Sequence, residues 1–324
     1  METEKQRLDY IDRAKGILII LVVIGHVWQS GYVFNTIYVF HMPAFFVISG
    51  ILLSYTRSHE KGFGRFVRRR LFSFGIPFLF IEILGVLTEI IRHGAALNWK
   101  GYLFNTLTFQ FNDRNLWFIV DLFLVELIFA ALVLLARNPW VVGTIVITLF
   151  FASFIPKTEN AYVSTLCSSF KYLPFFALGF YGRDQLNKRS GFLLIVSAAA
   201  VLCAGLFLGK RDSQFNAKNL LIMLCGVLGT YVVLQLSRNN LPAVLDRILC
   251  AAGRNSIIVF GTHHIIYVTI GVLLGITDFA STPVWAGLIM LAAVAALEIP
   301  IIYAINRWLP FLAGKRYPKH KLNA

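Results

Sequence analysis

The groups in this sequence best suited to proton transfer near neutrality are its histidines, and four of the seven fall within or beside long apolar runs. His26 lies eleven residues beyond Lys15. At about 1.5 Å of rise per helical residue that is roughly 16 Å, near the middle of a bilayer. A neutral imidazole there can take a proton from a hydroxyl; the competing reading is a structural histidine bonded to a neighbouring helix. His263 and His264 follow Ser256 by seven and eight residues. That is roughly 11 Å, and since adjacent helical residues point about 100° apart, one of the two is expected to face the bundle interior. His41, in Phe40-His41-Met42-Pro43, is placed in the outer turns of the second run, where it either lines an outer mouth or is simply interfacial. Pro43 is acceptable there if the helix is only starting. His59, His93 and His320 fall in loops.

Carboxylates in apolar surroundings are also costly and need a reason to be there. They are Glu82, Glu89, Asp121, Glu126 and Glu298. Glu82 and Glu89 share a helix face and could line one groove; Glu126 could pair with a histidine and fix its tautomer. The chain contains no HExxH, P-loop, GxSxG or Cys/His metal spacing, which argues against the common soluble hydrolase and NTPase chemistries. Cys167, Cys203, Cys225 and Cys250 lack CxxC spacing and read as apolar packing residues.

The elements that must position these groups are membrane helices. With 57% hydrophobic and 14% charged residues and a mean hydropathy of +0.70, the chain has no surface suited to water. The expected fold is all-α, a polytopic bundle of about ten transmembrane helices near residues 14–33, 36–56, 70–91, 115–136, 140–156, 165–182, 191–209, 218–237, 254–275 and 284–306. It forms a single membrane-embedded domain over 1–324, with short tails 1–13 and 307–324, and the first span reads as retained because no small-residue cleavage site follows it. An N-terminus inside the cell assigns 22 of the 30 lysines and arginines to inner segments, so both termini are expected to be cytoplasmic. The net charge of +14 is then accounted for by orientation and membrane lipids, without nucleic acid. The inner loop after the second span carries Arg57, Lys61, Arg65, Arg68, Arg69 and Arg70, dense enough to receive a polyanion. The long outer stretch from Arg92 to Arg114, with Trp99, Tyr102, Phe104, Phe109 and Phe111, reads as an interfacial segment that could roof an acceptor site. There is no fixed-period repeat and no pair of matching broken spans of the inverted-repeat transporter kind.

Several strings resemble the membrane-bound acyltransferase-3 family, and within it the fucose 4-O-acetylase-like sugar O-acetyltransferases, over nearly the whole chain. Asp12-Arg13-Ala14-Lys15-Gly16 leading to Gly25-His26 is similar to the family's first-span signature, with Lys15 where arginine is usual. Phe40-His41-Met42-Pro43-Ala44-Phe45-Phe46 with Ser49-Gly50 is similar to its second-span motif and is the most specific match. Leu116-Trp117-Phe118-Ile119, Phe175-Phe176-Ala177-Leu178-Gly179 and Gly253-Arg254-Asn255-Ser256 running on to His263 follow. One departure concerns an Arg-x-x-Arg pair usual before a proline at the third span. Counting back from Pro77 gives Arg70 and Ser73, while Arg65 and Arg68 have the spacing in a displaced register.

The resemblance implies transfer of an acyl group, usually acetyl from acetyl-CoA on the cytoplasmic side, to a sugar hydroxyl of a glycan or lipid-linked glycan, in a bacterial inner membrane. It implies His26 as general base or transient acyl carrier, with His263 and His41 as further site residues. Arg13, Lys15, Arg65, Arg68, Arg69 and Arg70 are the candidate donor-phosphate cations. Acyl-CoA enters as a substrate, and no permanently bound cofactor or metal is expected. Two other classes fit the same span count: a flippase for a lipid-linked glycan, and a non-catalytic membrane partner in glycan assembly. The basic tail from Lys315 carries no sign of a hydrolase-like domain such as some larger family members have.

Overall fold

A computed structural model describes residues 4–93, 98, 100–101, 104–105, 116–154, 161–208, 216–276 and 278–315. Among them there are helices and turns and no β-strand. The longer helices are α1 (Glu4–Val27), α2 (Gly31–Thr56), α3 (Phe63–Arg70), α4 (Ile76–His93), α5 (Trp117–Ala136), α6 (Pro139–Ala152), α7 (Ala161–Phe170) and α8 (Leu173–Tyr181). They continue with α9 (Gly191–Phe207), α10 (Ala217–Leu236), α11 (Ala243–Arg254), α12 (Ser256–Leu273) and α13 (Val284–Trp308). Among the described residues, six stretches of helix are long and apolar enough to cross a membrane: α2, the run Phe63–Arg92, α5, α10, α12 and α13. The protein is an integral membrane helical bundle. Its outward faces carry Leu135, Phe192, Ile195, Leu273 and Ile299, all exposed, which is favourable only against lipid.

The four remaining expected spans differ from the simple pattern for identifiable reasons. The helix expected over 14–33 is α1, which starts earlier, keeps Asp12, Arg13 and Lys15 on its helical path and ends at Val27. His26 is therefore in its last turn rather than mid-helix. The run expected over 140–156 forms a helix of 14 residues, capped by the Asn138 side chain accepting from the Trp140 N–H, and α9 has 17. The span expected over 165–182 is broken at Lys171–Tyr172 into α7 and α8, with Pro174 in the first turn of α8, where its missing N–H is harmless. Arg254, expected to open a span, instead ends α11, an amphipathic helix read from the sequence as part of a loop.

Pro43 is well inside α2, not at its start, because the helix begins at Gly31. It cannot donate to the Val39 carbonyl one turn back. Gly226 of α10 packs at that spot, where an added Cβ would be 3.0 Å from Pro43 Cγ and 3.1 Å from the Val39 oxygen. Small residues let helices approach closely elsewhere too. A Cβ at Gly50 would overlap the Phe176 carbonyl and one at Gly179 the Val47 carbonyl, which locks α2 to α8. Gly16 and Gly253 lie in the same way against Leu249 and Asp12, which locks α1 to α11.

The arginine-rich segment is helical, not a loop, and runs through α3 into a π-helical turn, Leu71–Gly75, before α4. Gly314 packs on the backbone of Ser73 in that turn with φ of 66°, a left-handed conformation suited to glycine. This contact, after the 3-10 turn Pro310–Ala313, brings Lys315 back to the bundle.

Candidate active site

Two cavities lie in series within the bundle. The histidine cavity, of about 280 Å³, is lined by His26, Tyr38, His41, Met42, Trp117 and Tyr172 among others. The cationic cavity, of about 260 Å³, is lined by Lys15, Arg70, Ser73, Glu126, Arg254 and Lys315 among others.

His26 is positioned by the short turn that follows α1. The Gln29 N–H donates to the Phe279 carbonyl at 3.0 Å and Ser30 donates to the Ala280 carbonyl, so the end of α1 is tied to the segment before α13. The His26 ring then meets α12, where its Nδ1 is 3.0 Å from Nε2 of His263. His263 Nδ1 is in turn 2.8 Å from the Val259 carbonyl one turn back. A carbonyl can only accept, so His263 carries its proton on Nδ1 and offers a lone pair at Nε2. His26 Nδ1 must then donate, which leaves Nε2 of a neutral His26 as a proton acceptor. His41 follows the same local rule, its Nδ1 donating to the Ile37 carbonyl at 2.8 Å. The three histidines named from the sequence thus come together, with His26 and His41 on one cavity and His263 behind His26. Of the adjacent pair, His263 is fully buried against His26, while His264 turns its ring toward Tyr267.

The predicted cations divide. Lys15 and Arg70 line the cationic cavity; Arg65, Arg68 and Arg69 are exposed on α3. Arg13 is engaged by Asp246 and donates to the Ser237 carbonyl at 3.2 Å, which ties α1 to the segment around α11. Arg70 and Ser73, the two positions reached by counting back from Pro77, both line the cavity, whereas the displaced pair Arg65 and Arg68 does not. Arg254 and Lys315 were not foreseen as site residues. Arg254 was visible only as part of a matching string and Lys315 only as part of a basic tail.

The cations differ in how far they are already neutralised. Arg70 pairs with Glu126 at 2.6 Å, Lys15 with Asp12 at 3.7 Å, and Arg254 with Asp12 at 2.9 Å and Asp9 at 3.3 Å. Lys315 donates to amide oxygens, Asn255 at 2.7 Å and Asn306 at 2.8 Å. Its ammonium is held below the usual lysine range by burial and by the nearby charge of Lys15, with Asp12 acting the other way. An anion entering the cavity would relieve that repulsion.

Among the other carboxylates, Asp121 accepts from Ser169 at 2.7 Å and Glu298 from Thr262 at 2.7 Å. Glu126 pairs with an arginine and not with a histidine, and neither Glu82 nor Glu89 borders either cavity. His59, placed in a loop from sequence, is buried against the Phe180 ring. Of the aromatic stretch between Arg92 and Arg114, Phe104 is exposed, and Trp99, Tyr102, Phe109 and Phe111 lie outside the described residues, as does His320.

Comparison with known proteins bears on this arrangement. The acyltransferase-3 family model, described as an acyltransferase domain, matches residues 8–303. Two curated relatives, both called nodulation protein NolL, are similar to the chain. The protein from Sinorhizobium fredii is 31% identical over 66% of this chain and 64% of its own length. The protein from Mesorhizobium japonicum is 29% identical over 65% of this chain and 59% of its own. The match thus spans less than two thirds of either relative. No solved structure matches the chain significantly. Because the match to the family covers almost the whole bundle, including the histidine cavity and all of the cationic cavity except Ala313 and Lys315, the chain belongs to the acyltransferase-3 family.

Proposed function

We propose that this protein transfers an acyl group, acetyl by preference, from acyl-CoA on the cytoplasmic side to a sugar hydroxyl of a glycan or lipid-linked glycan in a bacterial inner membrane. The observation that carries the reading is the series arrangement: a cation-lined cavity for a phosphorylated donor, and beyond it a cavity bordered by an oriented histidine relay. Lys15, Arg70, Arg254 and Lys315 supply charge-assisted donors for the phosphates of coenzyme A. The thioester end of its long arm then extends toward His26.

In the transfer step, Nε2 of His26 takes the proton of the acceptor hydroxyl as its oxygen attacks the thioester carbonyl. The C–S bond breaks, and the imidazolium returns the proton to the thiolate, which leaves as CoA–SH. His263 accepts from Nδ1 of His26 throughout and stabilises the imidazolium as it forms. His41 offers a second acceptor nitrogen on the same cavity, suited to orienting the sugar. In a variant route Nε2 attacks the thioester carbonyl first and the C–S bond breaks to release the CoA thiolate; the acceptor oxygen then attacks the acyl-imidazole, the C–N bond breaks, and the hydroxyl proton ends on the thiolate.

Purified protein in nanodiscs, given radiolabelled acetyl-CoA and a glycan-lipid extract, tests the reading. The wild type should release CoA and label the glycan, and His26→Ala should do neither. Full activity of a correctly folded His26→Ala protein removes both versions of the mechanism, and absence of turnover with any acyl-CoA removes the donor.

A further inference from the structure

The two cavities share only two lining residues among those described, Phe118 at the start of α5 and Phe260 on α12. Their ring centroids are 5.6 Å apart at 57°, within the range of rings in contact, and both residues are 8% exposed. The rings therefore form a septum across the passage between the cationic cavity and His26.

The two sides of the septum are held differently. Phe118 is flanked by Phe45 at 5.4 Å, Phe46 at 5.6 Å and Trp117 at 6.2 Å, so its ring sits in an aromatic cage. The ring contacts of Phe260 are with Phe118 and, at 6.2 Å, with His263 three residues further along the same helix face. Apart from their mutual contact, Phe260 therefore has one ring neighbour where Phe118 has three. A thioester that passes between the two rings from the cationic side displaces one of them, and Phe260 is the less enclosed by other rings. The void this opens fixes how large an acyl group can follow.

We infer that Phe118 and Phe260 act as the post and leaf of an aromatic gate, which selects small acyl groups and, while closed, separates the thioester from water at His26. This inference rests on the acyl-CoA reading proposed above. With the gate open and no sugar bound, water would take the place of the hydroxyl: its oxygen bonds to the thioester carbonyl, the C–S bond breaks, and free carboxylic acid and CoA–SH leave. A closed septum suppresses that loss.

The test compares wild type with Phe260→Ala in nanodiscs, measuring transfer from acetyl-CoA and butyryl-CoA, CoA release without acceptor, and binding of CoA itself. The variant is expected to raise the butyryl-to-acetyl ratio of kcat/KM by about tenfold or more, on the scale at which pockets distinguish one or two methylenes. Acceptor-independent CoA release should rise with it, and CoA affinity should not change. If Phe260→Ala does not purify as a monodisperse protein, Phe260→Trp tests the same idea with the opposite sign: slower acetyl transfer at unchanged CoA affinity. An active wild type whose variants keep the same acyl preference and the same coupling overturns the gate alone. A wild type inactive with every acyl-CoA overturns the functional reading and the gate with it.

Discussion

Nδ1 of His26 and Nε2 of His263 lie 3.0 Å apart, joining the last turn of α1 to the middle of α12. With the Val259 carbonyl fixing the proton on His263, this contact determines which nitrogen of His26 remains basic. His263→Ala should therefore lower kcat by about 10²-fold, a typical share of acid–base catalysis, while leaving the donor KM nearly unchanged. His263→Gln, whose amide oxygen can still accept from Nδ1, should recover part of the loss. A His263→Ala enzyme with normal kcat would show that the contact is only structural.

Lys315 predicts a pH dependence with a definite sign. Its pKa is depressed in the free protein by burial and by Lys15, and a bound phosphate would favour the charged form. CoA affinity should be full below that depressed pKa and fall as pH rises through it, beginning below the usual lysine value of about 10.4. Lys315→Arg, always charged, should flatten the curve. The check is the dissociation constant of CoA against pH for both proteins; identical curves contradict the assignment.

The Arg70–Glu126 pair separates folding from binding. Glu126 is 5% exposed in its side chain, so Arg70→Ala leaves a buried carboxylate without its partner, a change that destabilises by about 3–5 kcal/mol in comparable cases. The double change Arg70→Met with Glu126→Leu should regain most of the thermal stability in detergent without regaining CoA affinity. Recovery of both would mean that Arg70 serves the fold only.

The close helix contacts predict where small residues are required. Gly179→Ala places a methyl group on the Val47 carbonyl, and Gly50→Ala places one on that of Phe176. Each should destabilise by about 1–3 kcal/mol, the usual range for overpacking. Gly143→Ala, at a position with open space around its would-be Cβ, is the control and should leave the melting temperature in place.

Helix content was legible from apolar length, and the 100° offset between neighbouring helical residues foretold that His263 and His264 would not share a direction, though not which of them meets His26. The positions of the cations were not legible. Arg65, Arg68 and Arg69 share a segment with Arg70, yet on α3 only Arg70 points into the cavity. Lys315 reaches the same cavity from the far end of the chain, through a 3-10 turn and a left-handed glycine, a return path no local pattern encodes. Apolar length also misled at α7 and α8, where a continuous run hides the break at Lys171–Tyr172, and at α11, whose amphipathic face resembles a polar loop until it is seen packed on α1.

The proposed transfer takes its donor from the side of the cation-lined cavity and passes the acyl group on at His26. It is tested most directly in proteoliposomes of one fixed orientation, with radiolabelled acetyl-CoA supplied on one side only and transfer to a glycan lipid followed. Transfer is expected when acetyl-CoA is on the side of Lys15 and Lys315 and is expected to vanish in His26→Ala. Equal transfer with acetyl-CoA confined to the opposite side, or transfer that survives the loss of His26, would contradict the account.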